Sequence, residues 1–254
     1  MTHDLNLAIK AAKEASAVVR NNYKKRQSVE KKGVNDFVTQ TDKEAEKVIL
    51  NCLKETNYSI LSEEAGLLKG IDTTKQWIVD PIDGTANFVR GIPFFSVSIA
   101  LMDKDEITVG VVCEPLSGNC YWASQGGGAF NNNSKLCVSK QSEFEGSIIL
   151  VEHNRKKTDF IKYLEASRQL MANNNLTLLR QGSTALMLCY VASGQADAFL
   201  SYGDEIYDYA GGLIIAKEAG ALVTDCSGKP WDKLSTSILV STPKIQQEIL
   251  GCIR

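Results

Sequence analysis

Residues 77–88, WIVDPIDGTANF, constrain this chain more than any other stretch. Apolar residues lead into Asp80, and Pro81 has no amide hydrogen for a sheet ladder, so a strand must end in a turn there. Asp83 follows, then Gly84 and Thr85. Two carboxylates on one strand-end turn suit a shared divalent cation, and all-oxygen donors suit Mg²⁺ or Mn²⁺ better than zinc. The Ile82 carbonyl lies in the same turn as a third oxygen. Gly84 and Thr85 place backbone amides directly after the acids, where a turn opening into a helix cradles phosphate oxygens. A cation site and an anion nest in one segment point to phosphoryl chemistry. Asp-Pro-x-Asp-Gly is also good turn chemistry in its own right, so acids from elsewhere must decide.

Three further clusters supply them. Ser62-Glu63-Glu64 follows the apolar run 58–61, and adjacent glutamates at a strand end suit one ligand with one acid behind it. Asp36 and Asp42 flank DFVTQTD, a short strand or turn that enters a helix. In that helix Ala45, Val48, Ile49, Cys52 and Leu53 recur at helical spacing, and Thr41 with Glu44 reads as its capping box. Capping and solvation alone would account for both aspartates. Asp208 stands at the expected N-terminus of an apolar helix, where N-capping would suffice. Asp80 and Asp83 have two residues between them, so the Asp-x-Asp of haloacid-dehalogenase phosphatases is absent. Neither GxxxxGK[ST] nor GxSxG occurs, and the glycines at 125–130 lack the dinucleotide order.

Residues 5–22 carry a helical period, and the runs 58–61, 77–79, 94–101, 107–113 and 120–123 read as strands, with an antiparallel meander over 94–123. Beyond residue 145 strand and helix alternate: strand 147–151, helix 157–172, strand 177–180, helix 184–192, strand 197–201, helix 208–219 and strand 221–225. That order predicts a layered sheet with helices on its faces and a division into 1–145 and 146–254, tightly packed. The 254 residues are 44% apolar and 23% charged, an ordinary globular composition. A net charge of −2 argues against a dedicated nucleic-acid binder. No apolar run is long enough to span a bilayer, and the N-terminus lacks the apolar region of a signal peptide. Seven cysteines, an odd number without CxxC, predict no disulfide framework or zinc site, buried inert thiols and a reducing cytoplasm. His3 and His153 are the two histidines, which leaves little for a histidine base. Trp77, Trp122 and Trp231 read as packing residues, and Phe94-Phe95 as part of a strand.

Together DFVTQTD (36–42), SEEAG (62–66), WIVDPIDGTANFVRGIPFFSVSIAL (77–101) and YDYAGGLIIAKEAGALVTD (207–225) resemble the inositol monophosphatase family, Mg²⁺-dependent, lithium-sensitive sugar phosphatases, over essentially the whole chain. The resemblance implies an α+β fold of five αβαβα layers, with a mixed, largely antiparallel N-terminal sheet and a smaller C-terminal αβ part. It implies Glu63, Asp80 and the Ile82 carbonyl as ligands of one Mg²⁺, and Asp80, Asp83 and Asp208 as ligands of a second. Two or three cations would bind per site, with Mn²⁺ as a substitute and Li⁺ as an inhibitor. Glu64 would stand behind the ligands. The Gly84 and Thr85 amides would bind phosphate. Thr85 paired with Asp42 would activate the attacking water, with Glu63 near it, and Lys31 or the adjacent Lys32 would match a loop lysine that reaches the site.

The implied reaction is hydrolysis of a small sugar or polyol phosphate, of the inositol-1-phosphate type, by metal-activated water. Fructose-1,6-bisphosphatase and 3'(2'),5'-bisphosphate nucleotidase are the alternatives, and a non-enzymatic phosphate-binding protein is the reading from another class. A cytoplasmic homodimer without nucleic-acid or membrane partners is expected. The leaving-group side departs from the family pattern. Ser201 stands where the animal enzymes carry an inositol-contacting glutamate, with Asp204 and Glu205 close by. EHNRKK around Arg155 replaces a pocket serine, and Ser183 stands for a glycine ahead of Thr184 and Ala185. Arg155, Lys156, Lys157 and Arg180 are candidates for a second phosphate or simply a solvated basic turn.

Overall fold

Small and aliphatic residues at every third or fourth position make the first helix. α1 (His3–Asn22) buries Leu5, Ala8, Ala12, Ala15 and Val19 along one stripe, and the Thr2 hydroxyl caps it by accepting from the Leu5 amide. The computed structural model describes residues 2–26, 28–33, 36–154, 156–172 and 175–253, and only the backbone of residues 31–33 and 36. A ribbon of β1 (Val29–Gly33) and β2 (Asp36–Thr39) leads into α2 (Gln40–Leu53). The capping box of α2 is Thr39 with Asp42, not the expected Thr41 with Glu44. β2 holds Thr39 extended, so the helix starts earlier than its apolar period alone indicates.

β3 (Tyr58–Ser62), β4 (Gly66–Leu68), β5 (Asp72–Asp83), the short α3 (Thr85–Arg90), β6 (Ser96–Asp103), β7 (Glu106–Cys113), β8 (Cys120–Ser124), β9 (Gly128–Asn131) and β10 (Ser134–Lys135) follow. Their strands form one eight-stranded sheet in the order β10-β9-β8-β7-β6-β5-β3-β4. Every pairing is antiparallel except β3 with β5. The expected meander is β6-β7-β8, but Phe94 and Phe95 precede it. Phe95 packs on Tyr23 and Phe88, and Phe94 on Tyr190, so the pair pins the turn between α3 and β6.

The remaining chain gives β11 (Ile148–His153), α4 (Lys157–Ala172), β12 (Thr177–Leu179), α5 (Thr184–Ala192), β13 (Ala198–Tyr202), α6 (Ile206–Glu218), β14 (Leu222–Thr224), β15 (Ser237–Ser241) and α7 (Gln246–Ile253). The second sheet runs β12-β11-β13-β15-β14, with β11 parallel to both its neighbours. α1 and α2 share a core with Trp77, Val79, Ile99 and Val111 on one face of the first sheet. α5 and α6 lie between the sheets, with Val112 and Tyr121 on one side and Phe199, Ile238 and Val240 on the other. α4 and α7 cover the far face through Ile149, Leu200 and Leu239. These are the five αβαβα layers. α5 and α6 are apolar on nearly every face because both sides of the pair are buried. The expected division at 145/146 falls between β10 and β11, the last strand of one sheet and the first of the other in chain order.

The cysteine expectation needs correction. β7 and β8 set Cys113 directly opposite Cys120 with Cα atoms 4.1 Å apart, and a disulfide joins them. Hairpin register creates that pair, and residue spacing alone does not reveal it. Cys137 is exposed rather than buried. Among the described residues no helix is long and apolar enough to cross a membrane.

α6 approaches the first sheet through glycines. A Cβ on Gly110 of β7 would sit 2.4 Å from the Gly211 carbonyl oxygen and 2.4 Å from Ile214 Cγ2 of α6. Backbone cannot yield there, so Gly110→Ala should cost about 3 kcal/mol by overpacking. At this chain length that lowers Tm by about 6–12 °C. Thermal unfolding followed by circular dichroism checks it, and an unchanged Tm would contradict the close approach.

Candidate active site

The end of β5 organises the site. Asp80 pairs with Ser98 and Asp83 with Ser96, so the register with β6 slips between them. Pro81 sits in that bulge, where a missing amide costs no ladder bond. The Ile82 amide donates to Asp80 Oδ1 at 3.0 Å, which fixes the first carboxylate. Gly84 then adopts φ +94°, and a Cβ there would lie 2.9 Å from the Gly182 carbonyl oxygen, so only glycine makes the turn into α3. The strand does not end in a turn at Pro81 as expected: the bulge absorbs the proline, β5 runs on through Asp83, and the turn comes at Gly84, so Asp80, the Ile82 carbonyl and Asp83 share the bulged strand end with Thr85 in the first turn of α3.

Two other elements deliver acids to it. Parallel pairing of β3 with β5 sets Ser62 beside Val79, and the Glu63 amide donates to the Val79 carbonyl at 3.1 Å. Glu63 thus arrives next to Asp80, and their carboxyls hydrogen-bond. Glu64 takes the next position in the turn. Asp208 is in the first turn of α6, where its Oδ2 accepts from the Glu205 amide at 2.8 Å in a capping box. Burial holds the Asp80 carboxyl well above the ordinary carboxylate range, and Glu63, Asp83 and Asp208 raise it further. Asp208 is raised in the same way, by burial first and then by Asp204, Asp83 and Glu63. Four carboxyls from distant segments therefore feel one another in one place. Among the described residues, no three Asp, Glu, His or Cys side chains are drawn tightly enough together to hold a metal ion in this arrangement. The donors present are nonetheless all oxygens with excess negative charge, which fits a hard divalent cation such as Mg²⁺.

Asp83 also does structural work. Its Oδ1 accepts from the Thr184 amide at 3.0 Å, and its Oδ2 from the Ala185 amide at 3.0 Å, the Ser96 hydroxyl at 3.0 Å and the Ser183 hydroxyl at 2.5 Å. It caps α5 from another element, while Ser183, at the N-cap position, makes no side-chain cap of its own. Burial pushes the Asp83 carboxyl up to about 6 despite these donors. Ser183, Thr184 and Ala185, expected in the substrate pocket, spend these groups on Asp83.

Asp42 is fully buried on α2, with Oδ2 accepting from the Thr39 amide at 2.8 Å. The Thr85 hydroxyl lies 3.2 Å from Asp42 Oδ1 and 2.9 Å from the Ile82 carbonyl oxygen. Its single proton serves one of them at a time. Among the residues expected on the leaving-group side, the Ser201 hydroxyl (2.5 Å) and the Thr184 hydroxyl (3.3 Å) both converge on Asp204 Oδ2. Burial pushes the Asp204 carboxyl up to about 7. Arg180 Nε donates to Glu152 Oε1 at 2.5 Å, so its charge is already engaged by a buried carboxylate. Lys156 stands 3.9 Å from Glu205, and Lys157 is exposed at the start of α4. Arg155 and the side chains of Lys31, Lys32 and Asp36 lie outside the described residues.

Two acids of this region escaped the sequence reading. Glu152 is buried on β11, and nothing in its local sequence marks it. Glu46 lies one helical turn from Asp42, and that spacing was a usable signal.

The raised carboxyls predict a pH-dependent cation response. Asp83 ionises near 3.8 in an unfolded chain and near 6 in the fold. Without divalent cations its contribution to stability is fully present below about pH 4 and is lost as pH rises through 6. A cation that replaces the proton removes this loss. Mg²⁺ should therefore raise Tm at pH 8, and the gain should fade as pH drops below about 5. Thermal shift with and without Mg²⁺ across that range measures it, and a pH-independent gain would contradict the shared carboxylate site.

The model of the inositol monophosphatase family matches residues 1–254. A protein of Pasteurella multocida named Nus factor SuhB is 36% identical over 254 residues, covering 98% of this chain and 95% of its own. The crystal structure of extragenic suppressor protein suhB from Bartonella henselae superposes with a TM-score of 0.94 at 33% identity, covering 100% and 99% of the two chains. A structure titled inositol monophosphatase-fructose 1,6 bisphosphatase superposes with a TM-score of 0.82 at 29% identity over 100% of both chains. With a family model spanning every residue and folds that superpose end to end, the chain belongs to the inositol monophosphatase family.

Proposed function

We propose that the chain is a Mg²⁺-dependent phosphomonoesterase that hydrolyses a small sugar or polyol phosphate of the inositol-1-phosphate type. The observation that carries this reading is the convergence of Glu63, Asp80, Asp83 and Asp208 beside the Thr85–Asp42 pair. Glu63, Asp80 and the Ile82 carbonyl would hold one cation, and Asp80, Asp83 and Asp208 a second. A bound divalent cation neutralises phosphate charge and lowers the pKa of water. Family membership supports Mg²⁺ as that cation and a homodimer as the assembly.

The chain's own groups handle the proton and the orientation. When Thr85 donates to Asp42, its oxygen lone pairs are free to accept from the attacking water. Asp42 is the proton's destination, and the Thr39 amide and hydroxyl prevent it from swinging away. The Gly84 and Thr85 amides orient the phosphoryl oxygens at the opening of α3. Asp83, locked by four donors, keeps the ligand turn in register with α5.

The leaving group meets Asp204, Ser201 and Thr184, a set of acceptors and donors that suits hydroxyls. Because Glu152 already engages Arg180, that cation is less available to a second phosphate, which supports a polyol monophosphate over a bisphosphate. The relative titled inositol monophosphatase-fructose 1,6 bisphosphatase keeps fructose-1,6-bisphosphate as the alternative substrate. A second reading, a role as a Nus factor, is favoured by the name of the Pasteurella relative. It predicts a function that survives loss of catalysis.

Phosphate release from inositol-1-phosphate, fructose-1,6-bisphosphate and 3'-phosphoadenosine 5'-phosphate, with Mg²⁺ or with EDTA, tests the reading. Turnover should be abolished by EDTA and greatest on the inositol ester. Asp208→Asn should lower kcat/KM by about 100- to 1,000-fold, the equivalent of several kcal/mol of transition-state stabilisation. Thr85→Ala should lower kcat by about 100-fold. Full activity in EDTA would refute the reading, and faster turnover of either bisphosphate would refute the substrate class.

A further inference from the structure

α2 presents two carboxylates one turn apart. Asp42 reaches Thr85, whereas Glu46 reaches the turn that carries Glu63 and Glu64. Glu46 Oε1 accepts from the Ser62 hydroxyl and, at 2.9 Å, from the Ala65 amide. Those two donors bracket the glutamates: Ser62 ends β3, and Ala65 precedes Gly66, which starts β4 at φ +69°. One oxygen of α2 therefore ties the end of β3 to the last residue of the three-residue turn 63–65. Inside the turn the Glu63 amide is held by the Val79 carbonyl of β5, the strand that carries Asp80 and Asp83.

We infer that Glu46 is a positioning residue for the cation site: it sets the Glu63 carboxylate against Asp80 by clamping the turn, and through α2 it links that position to the Thr85–Asp42 pair. The inference rests on the metal-dependent reading of the site. What the clamp needs is a hydrogen-bond acceptor, not a charge. A glutamine oxygen accepts from the same two donors, whereas an alanine leaves the Ala65 amide and the Ser62 hydroxyl without this acceptor. Partners that orient metal ligands are typically worth about 10- to 100-fold in metal affinity.

The test titrates Mg²⁺ into the full chain and reads the midpoint of the thermal-shift response, with turnover at saturating Mg²⁺ measured in parallel. Glu46→Ala should move the midpoint up by about tenfold or more. Its kcat should return to within a few-fold of wild type once Mg²⁺ saturates. Glu46→Gln should stay within about threefold of wild type. Ser62→Ala removes one donor and should give an intermediate shift, and it carries the test if Glu46→Ala does not fold. An unchanged Mg²⁺ midpoint in Glu46→Ala, even with a lower metal-free Tm, would mean a structural role only and overturn the inference. Equal weakening in the Gln and Ala variants would overturn it too, since charge would then matter. A wild-type chain without any Mg²⁺ response would overturn the metal reading and this inference with it. A wild-type response shared unchanged by Glu46→Ala would overturn this inference alone.

Discussion

Like charge crowded at the end of β5 is the constraint on which the rest of the structure depends. Carboxylates that share a buried place repel one another and resist losing their protons. Burial first, and then the neighbouring carboxyls, raise Asp80 and Asp208 well above the ordinary range, and burial raises Asp83 to about 6. A fold keeps such a cluster only if other interactions hold it. Here the hold comes from the bulge at Pro81, the glycine turn at 84, the parallel β3–β5 pairing and the α6 N-terminus, which together bring these acids to the end of β5.

The way each acid is fixed has a common form. Asp42 accepts from the Thr39 amide, Asp80 from the Ile82 amide, Asp83 from the Thr184 and Ala185 amides, and Asp208 from the Glu205 amide. Every one is tied to backbone N–H groups, three of them at helix N-termini. Capping and site roles are therefore not competing explanations of Asp42 and Asp208. The cap is what preorganises the carboxylate, so little reorganisation remains for the reaction step. It follows that removing Asp83 disturbs the junction between β5 and α5 as well as the site, whereas Asp208 is tied to the N-cap of its own helix.

Local chemistry made much of this legible in the sequence. Asp80, Pro81, Asp83 and Gly84 are adjacent, and a turn among them could be read from propensity alone. The meander and the β/α alternation after residue 145 follow from hydrophobic periodicity. What stayed hidden depends on register and long-range contact. The Cys113–Cys120 pair needs the β7–β8 register, and the engagement of Arg180 by Glu152 needs β11 and the loop before α5 to meet. The α2 capping box was misplaced because Thr39 and Thr41 both fit a Thr-x-x-acid pattern. Only the strand ending at Thr39 separates them. β15 and α7 are short, five and eight residues, too few for a hydrophobic period to set them apart.

The most direct test of the shared cation site is a crystal of the chain grown with Mn²⁺ and inorganic phosphate, with anomalous difference density locating the manganese. The account predicts peaks within coordination distance of Glu63, Asp80, Asp83 and Asp208 oxygens, with Asp80 touching two of them. Manganese bound elsewhere, with these four carboxylates left uncoordinated, would contradict it.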